Sequence, residues 1–105
     1  MAVKELNSEQ FRGFVNEGYA IVDCYGEFCS ACVMLAPIFD TVAAELNGIS
    51  FGKINLSFNE DVAREFEIDA MPTVLFFRNG ELINKVVGCM EKPDLLELVS
   101  QLLYR

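Results

Sequence analysis

Short apolar runs and amphipathic stretches alternate along this chain, and the alternation predicts its secondary structure. Short runs with apolar residues predict strands over residues 3–6, 19–25, 49–56, 73–77 and 81–87. The run 19–25 is apolar almost throughout, which is typical of a central strand covered on both faces, and Asp23 is its exception. Asn79 and Gly80 form a two-residue hairpin signal, so the last two strands are expected to be antiparallel.

Apolar residues at helical spacing predict four helices around these strands. Ser8 is the expected N-cap of the first helix, and Cys29 begins the second, which Pro37 is expected to kink. Asn59 is the expected cap of a short third helix, and Pro93 suits the first turn of the last. The order β-α-β-α-β-α-β-β-α predicts an α/β fold in which helices cover both faces of a mixed sheet.

Length, composition and charge restrict the class of protein. The chain fits one globular domain over residues 1–105, with 52% hydrophobic residues and no repeat or linker. Sixteen acidic residues against eight basic ones give a net charge of −8, which disfavours nucleic acid and anionic membranes as partners. Residues 1–5 show no signal-peptide pattern, so a cytoplasmic protein is expected. Thiols stay reduced there, and the four cysteines are therefore expected to be free, catalytic or metal-bound.

Cys29 and Cys32 lie where the strand 19–25 is followed by a helix N-terminus. The free N–H groups and the positive dipole end of a helix stabilise a thiolate, which is the form that attacks disulfides or binds metals. As N-cap, Cys29 is expected to accept hydrogen bonds from the amides of Ala31 and Cys32. Such a pair between a strand and a helix indicates redox chemistry, and a metal site or an inert pair is the alternative.

Further motifs lie in order along the whole chain: Ile21-Val22-Asp23, Pro37, Lys53-Ile54-Asn55, Met71-Pro72-Thr73, Phe76 to Glu81, and Val87-Gly88. Together with the cysteine pair they resemble the thioredoxin family. The resemblance implies an α/β thioredoxin fold, a central mixed five-stranded sheet flanked by four helices. The chain departs from the family at Ser30 and Ala31, where Gly-Pro is usual, and at Tyr25 and Phe28, where tryptophans are common.

The resemblance also implies roles for the catalytic residues. Cys29 is expected to attack a substrate disulfide, and Cys32 is expected to resolve the mixed disulfide. Asp23 is expected to exchange a proton with Cys32, and a structural aspartate paired with Lys53 is a compatible alternative. A cis bond before Pro72 is expected to expose backbone to an incoming peptide.

The resemblance further implies a substrate-binding rim around Cys29: Phe28, Ser30, Ala31, Met71, Thr73, Gly88 and Cys89. The alternative for the rim is simple packing, which is the expected role of the Phe28 ring. Cys89 is expected to be either exposed and modifiable or a small buried hydrophobe, whereas Cys24 is expected to lie in the core. The amide that Ala31 restores is expected to make Cys29 more acidic and the protein more oxidising.

The function that the resemblance implies is reduction of protein disulfides, with client proteins and a thioredoxin reductase as partners. No bound cofactor is expected, because electrons are expected from NADPH through the flavin of that reductase, and the protein is expected to be a monomer. Three alternatives stay open: a disulfide oxidase or isomerase on the same fold, a metal or iron–sulfur module, and a non-catalytic binding module. The metal module would use Cys29 and Cys32 with one of the other thiols, and a zinc site with four protein ligands would need both Cys24 and Cys89.

Overall fold

The computed structural model describes residues 2–104, and the expected domain limits at residues 1 and 105 lie outside the described residues. Each predicted strand and helix is present in the predicted order, and the bounds differ from the predictions by a few residues. The elements are β1 (Val3–Leu6), α1 (Ser8–Val15), β2 (Tyr19–Tyr25), α2 (Ser30–Glu45), β3 (Ile49–Asn55), α3 (Glu60–Glu65), β4 (Thr73–Arg78), β5 (Glu81–Val87) and α4 (Lys92–Leu103).

The strands form one mixed sheet in the order β1-β3-β2-β4-β5. β3 runs parallel to β1 and β2, which the intervening helices permit, whereas β4 is antiparallel to both β2 and β5. β2 therefore has a hydrogen-bonded strand on each side. This central position explains its nearly unbroken apolar sequence and the burial of every side chain from Ala20 to Cys24.

Two apolar cores lie on the two faces of the sheet, because successive side chains of a strand point to opposite faces. On one face Ile21 and Phe76 pack with α2 and α4, which contribute Leu35 and Leu95 among others. On the other face neighbouring strand residues such as Phe77 pack with α1 and α3. The prediction of helices on both faces is thus confirmed.

The predicted cap of α1 is wrong, and the predicted cap of α3 is in place but makes no capping hydrogen bond. Asn7, and not Ser8, caps α1: its side chain accepts from the amide of Gln10, and the Gln10 side chain accepts from the Asn7 amide. The Ser8 hydroxyl instead lies 2.5 Å from a carboxylate oxygen of Asp61. Asn59 occupies the N-cap position of α3 without a capping hydrogen bond, because its side-chain oxygen accepts from the Ser8 amide at 2.9 Å. The start of α1 thus keeps a local capping box, and at the start of α3 the contact with Ser8 takes the place of a local cap.

Pro37 lies inside α2 without ending it, as predicted. Between residues 2 and 104, no helix combines the length and the apolar character that a membrane crossing requires.

Candidate active site

The sheet topology brings the predicted site residues to one edge of the molecule. β2 and β3 are parallel, so their carboxyl ends meet at the same edge, and the antiparallel β4 begins there. The loop after β2 leads into α2, and Pro72 directly precedes β4. Cys29 at the start of α2 is consequently placed beside Pro72, although 43 residues separate them in sequence.

Cys29 and Cys32 form a disulfide across the first turn of α2, with their Cα atoms 5.3 Å apart. Cys29 is the N-cap and is partly exposed, whereas Cys32 is only 5% exposed. The Cys32 amide donates to the Cys29 sulfur at 3.2 Å. The expected second donor, the Ala31 amide, makes no such bond in this disulfide form. The Cys29 sulfur therefore caps the amide at the third helical position, that of Cys32, and not the amide at the second, that of Ala31.

The Met71–Pro72 peptide bond is cis, as the family resemblance implied. The carbonyl oxygen of Met71 lies 3.6 Å from the Cys29 sulfur. Pro72 is buried, and its carbonyl accepts from the Gly88 amide at 2.8 Å, which fixes this turn against the end of β5. Thr73 is also buried, and its hydroxyl donates to the Ala70 carbonyl at 2.7 Å. The Thr73 side chain therefore stabilises the turn from inside.

An exposed apolar rim surrounds Cys29. The ring of Phe28 is fully exposed, so the expectation that it packs is wrong. Phe28 also has a positive φ of 55°, an uncommon conformation for an aromatic residue. Met71 is 40% exposed, and a side chain at Gly26 would collide with the Met71 sulfur at 2.6 Å. Gly26 thus permits the close approach of the loop before Phe28 to Met71.

Other parts of the predicted rim differ in exposure. Ser30 is exposed, whereas Ala31 and Gly88 are partly buried. Val33 and Met34 are 73% and 63% exposed on the first turns of α2, and sequence analysis missed them. The signal was available, because both lie outside the apolar stripe by which α2 packs on the sheet.

Asp23 is a buried carboxylate next to this disulfide. It is 3% exposed, and within the described part of the chain its Oδ1 atom has no hydrogen-bond partner. Burial disfavours the charged form and raises the pKa of Asp23 from its ordinary value of 3.8 to about 7. The positive charge of Lys53 acts in the opposite direction, and the carboxylates of Asp40 and Glu5 raise the pKa further.

Lys53 does not pair with Asp23 in the way that sequence analysis considered. The two residues are register partners on β3 and β2. The Lys53 ammonium nevertheless lies 3.9 Å from Glu5 on β1, and among residues 2–104 no ion pair joins it to Asp23. The structural alternative for Asp23, a salt bridge to Lys53, is absent from this arrangement.

A cleft of about 660 Å³ connects the buried carboxylate with the disulfide. Its walls include Asp23, Lys53, Tyr25, Cys29 and Cys32. Asp23 and Cys32 therefore line the same solvent-accessible cleft.

Comparison with known proteins agrees with this geometry over nearly the whole chain. The family model described as Thioredoxin matches residues 2–101. The chain belongs to the thioredoxin family. It is 37% identical to a thioredoxin of Chlamydia pneumoniae over 99 residues, which cover 94% of this chain and 97% of that protein. It is 30% identical to a thioredoxin of Staphylococcus saprophyticus over 102 residues, which cover 96% of this chain and 98% of the relative.

A solved thioredoxin structure from Malassezia sympodialis superimposes with a TM-score of 0.82. It is 30% identical in sequence and covers 94% of this chain and 89% of its own. The predicted thioredoxin fold is confirmed. With its Cys29–Cys32 disulfide, this thioredoxin-family chain is a thiol–disulfide oxidoreductase of the protein-disulfide reductase type.

The other two cysteines of this thioredoxin-family chain stand apart from the disulfide. Cys24 is fully buried in β2, as predicted, and burial raises the pKa of its thiol. Cys89 is a free, exposed thiol directly after Gly88, which decides between its two expected positions. Within residues 2–104, no three histidine, cysteine or acidic side chains are grouped so that they can hold a metal ion. The alternative of a metal module, in which one or both of the other cysteines join the pair, therefore has no matching cluster among these residues.

Proposed function

We propose that the protein reduces disulfide bonds of client proteins, with Cys29 as the nucleophile and Cys32 as the resolving thiol. The unequal exposure of the two sulfurs carries this assignment. Cys29 is partly exposed at the N-cap, where a client sulfur can reach it, whereas Cys32 is 5% exposed. Attack on a disulfide needs access along the line of the sulfur–sulfur bond, and only Cys29 offers such access to a large substrate.

The exchange proceeds in two steps. The Cys29 thiolate attacks one client sulfur, a mixed disulfide forms, and the other client sulfur leaves as a thiolate that takes up a proton. Cys32 then gives its proton to the Asp23 carboxylate, and its thiolate attacks the Cys29 sulfur. The bond between Cys29 and the client breaks, and the second client sulfur leaves and is protonated. Two electrons have passed to the client, and the Cys29–Cys32 disulfide remains.

Clients bind, on this proposal, across the exposed rim beside Cys29. The rings and thioethers of Phe28 and Met71 provide apolar contact, and the backbone of Met71 next to the cis bond provides polar groups for an extended client segment. The proposed client surface also includes Ser30, Ala31, Gly88 and Cys89, and the Thr73 hydroxyl stabilises the turn at Pro72 beneath it. Lys53 acts on the carboxylate of Asp23 and is the remaining member of the proposed catalytic set.

The family implies disulfide-containing substrates and a thioredoxin reductase as partners. We propose that this reductase passes electrons from NADPH through its flavin to the Cys29–Cys32 disulfide, so that the chain itself holds no cofactor. We further propose that residues 1–105 act as a single domain and as a monomer in the cytoplasm. The net charge of −8 supports the proposal that neither nucleic acid nor a membrane is a partner.

The test is insulin reduction coupled to NADPH and a bacterial thioredoxin reductase. Wild-type protein is expected to reduce insulin, and Cys29→Ser is expected to be inactive. Cys24→Ala is the matched control, because it also removes one thiol but is expected to keep wild-type activity. Activity that survives Cys29→Ser would point to the binding-module alternative. A measured potential near the roughly −270 mV of reducing thioredoxins supports a reductant, and one near the roughly −120 mV of strong oxidants would support the oxidase alternative.

A further inference from the structure

Tyr25 and Glu5 form a contact beside the active site that the exchange reaction does not require. The Tyr25 hydroxyl lies 2.8 Å from each carboxylate oxygen of Glu5 and donates to that carboxylate. The Lys53 ammonium lies 3.9 Å from Oε1 of the same carboxylate. Tyr25 thus fixes the position of a negative charge, and that charge is in ion-pair contact with the lysine of the active site.

The strand register places this contact in a row with the buried carboxylate. Glu5 on β1 is the register partner of Lys53 on β3, and Lys53 is the register partner of Asp23 on β2. Register partners project from the same face of a sheet, and adjacent strands lie about 4.8 Å apart. Lys53 consequently has a carboxylate on each side, exposed Glu5 and buried Asp23. An ammonium that is drawn toward one of them is drawn away from the other.

We propose that Glu5 is a positioning residue for proton exchange at Asp23: Tyr25 fixes the Glu5 carboxylate, which holds the Lys53 ammonium toward β1 and so keeps Asp23 able to carry a proton near neutral pH. This inference rests on the proposed function, in which Asp23 exchanges a proton with Cys32. It assigns Glu5 and Tyr25 no contact with the client or with the reacting sulfurs.

The surroundings of Asp23 agree with this assignment. The titratable and charged groups that face it or share its cleft come from β1, β2, β3, α2 and the loop before α2: Glu5, Tyr25, Lys53, Asp40, Cys32 and Glu27. On β4 its register partner is the apolar Val74. Lys53 is therefore the cation that can stabilise the Asp23 carboxylate, and Glu5 is in ion-pair contact with it. Burial and the charge of Glu5 raise the pKa of the Tyr25 phenol, so Tyr25 remains a donor throughout the neutral range.

The experiment is a ¹³C NMR titration of the Asp23 carboxyl carbon in the full-length, disulfide-bonded protein. Glu5→Gln is expected to lower the titration midpoint of Asp23 by about one pH unit, because a like charge is lost and Lys53 is freed to approach Asp23. Glu17→Gln is the matched control. It removes the same charge from an exposed position before β2, at the opposite end of the strand from the active site, and is expected to leave the midpoint in place.

Tyr25→Phe separates positioning from simple charge. It is expected to move the midpoint in the same direction by less, and the double variant Glu5→Gln/Tyr25→Phe is expected to titrate like Glu5→Gln alone. The proposal would be overturned if Asp23 titrated at the same midpoint in Glu5→Gln as in Glu17→Gln. It would also be overturned if the shift in the double variant equalled the sum of the shifts in Glu5→Gln and Tyr25→Phe. Insulin turnover by the wild-type preparation is measured in parallel. Its absence would reject the proposed function, whereas the titration alone decides the role of Glu5.

Discussion

Cys24 and Cys29 are five residues apart in sequence, and the structure gives them opposite chemistry. Cys24 lies in the central strand with Ile54 and Thr73 as its neighbours on the two flanking strands, and it is fully buried. Cys29 lies at the N-cap of α2, is partly exposed, and accepts from the amide of Cys32. One thiol belongs to the core, and the other belongs to the reaction.

The difference shows that backbone position decides the reactivity of a cysteine. Burial among apolar side chains disfavours the thiolate of Cys24 and raises its pKa. A helix N-terminus stabilises a thiolate through its unpaired amides and dipole, and it presents the sulfur at the surface. Four predictions test this contrast, from the largest expected effect to the smallest.

Replacement of the reactive thiol is expected to have the largest effect. Cys29→Ser is expected to lower insulin reduction by at least about 1,000-fold, since a hydroxyl cannot form the mixed disulfide. Coupled NADPH oxidation measures the loss. Cys24→Ala, checked for folding by circular dichroism, is expected to keep wild-type turnover. Equal losses in the two variants would remove the distinction between the sites.

The buried carboxylate beside Cys24 is expected to lower stability at high pH. The folded-state pKa of Asp23, about 7, exceeds its ordinary value of 3.8, so folding favours the protonated form. Its contribution to stability is fully present below about pH 3.8 and is lost as the pH rises to about 7. Asp23→Asn is therefore expected to stabilise the protein at pH 8 by as much as about 4 kcal/mol relative to its effect at pH 4.

Urea denaturation at the two pH values measures this difference in the free energy of unfolding. Asp69→Asn is the control, because Asp69 is exposed and its replacement is expected to change stability equally little at both. A gain from Asp23→Asn that is the same at pH 4 and pH 8 would contradict the assigned cause.

A polar group in place of the core thiol is expected to cost stability without changing the chemistry. Cys24→Ser buries a hydroxyl and is expected to lower the free energy of unfolding by about 1–3 kcal/mol. Cys89→Ser, at an exposed position, is expected to change it by less than about 0.5 kcal/mol. Thermal or urea denaturation compares the two. A Cys24→Ser variant as stable as Cys89→Ser would show that Cys24 is not packed as described.

The smallest effect is expected at Ala31. The structure assigns the amide donor of the Cys29 sulfur to Cys32, so the Ala31 amide adds a second-order contribution to the thiolate. Ala31→Pro removes that amide and is expected to raise the thiolate pKa and to lower the redox potential by at most about 30 mV, equivalent to about 1.4 kcal/mol. Ultraviolet thiolate titration and equilibration with glutathione measure the two changes. Ala31→Gly keeps the amide and is the control, and a shift in Ala31→Gly equal to that in Ala31→Pro would exclude the amide as the cause.

The secondary structure was predictable because it depends on neighbours in sequence. The nearly unbroken apolar run of β2, the hairpin signal at Asn79 and Gly80 and the apolar stripe of α4 each act within a few residues, and each element is present. The placement of Cys29 at a helix start followed from the same local patterns. The cis bond at Pro72 was not predictable from spacing, since few such bonds are cis, and only the family resemblance implied it.

The sequence alone therefore determined the order of the strands and helices, the position of the two redox thiols at a helix N-terminus and, through its motifs, the family. Only the tertiary structure decided the exposure of Phe28, the contact of Ser8 with Asp61 and the Tyr25–Glu5–Lys53 row beside Asp23. These contacts join residues 20 or more positions apart. Local propensity acts over a turn or a strand, and such contacts form only when the register of the sheet brings distant side chains together.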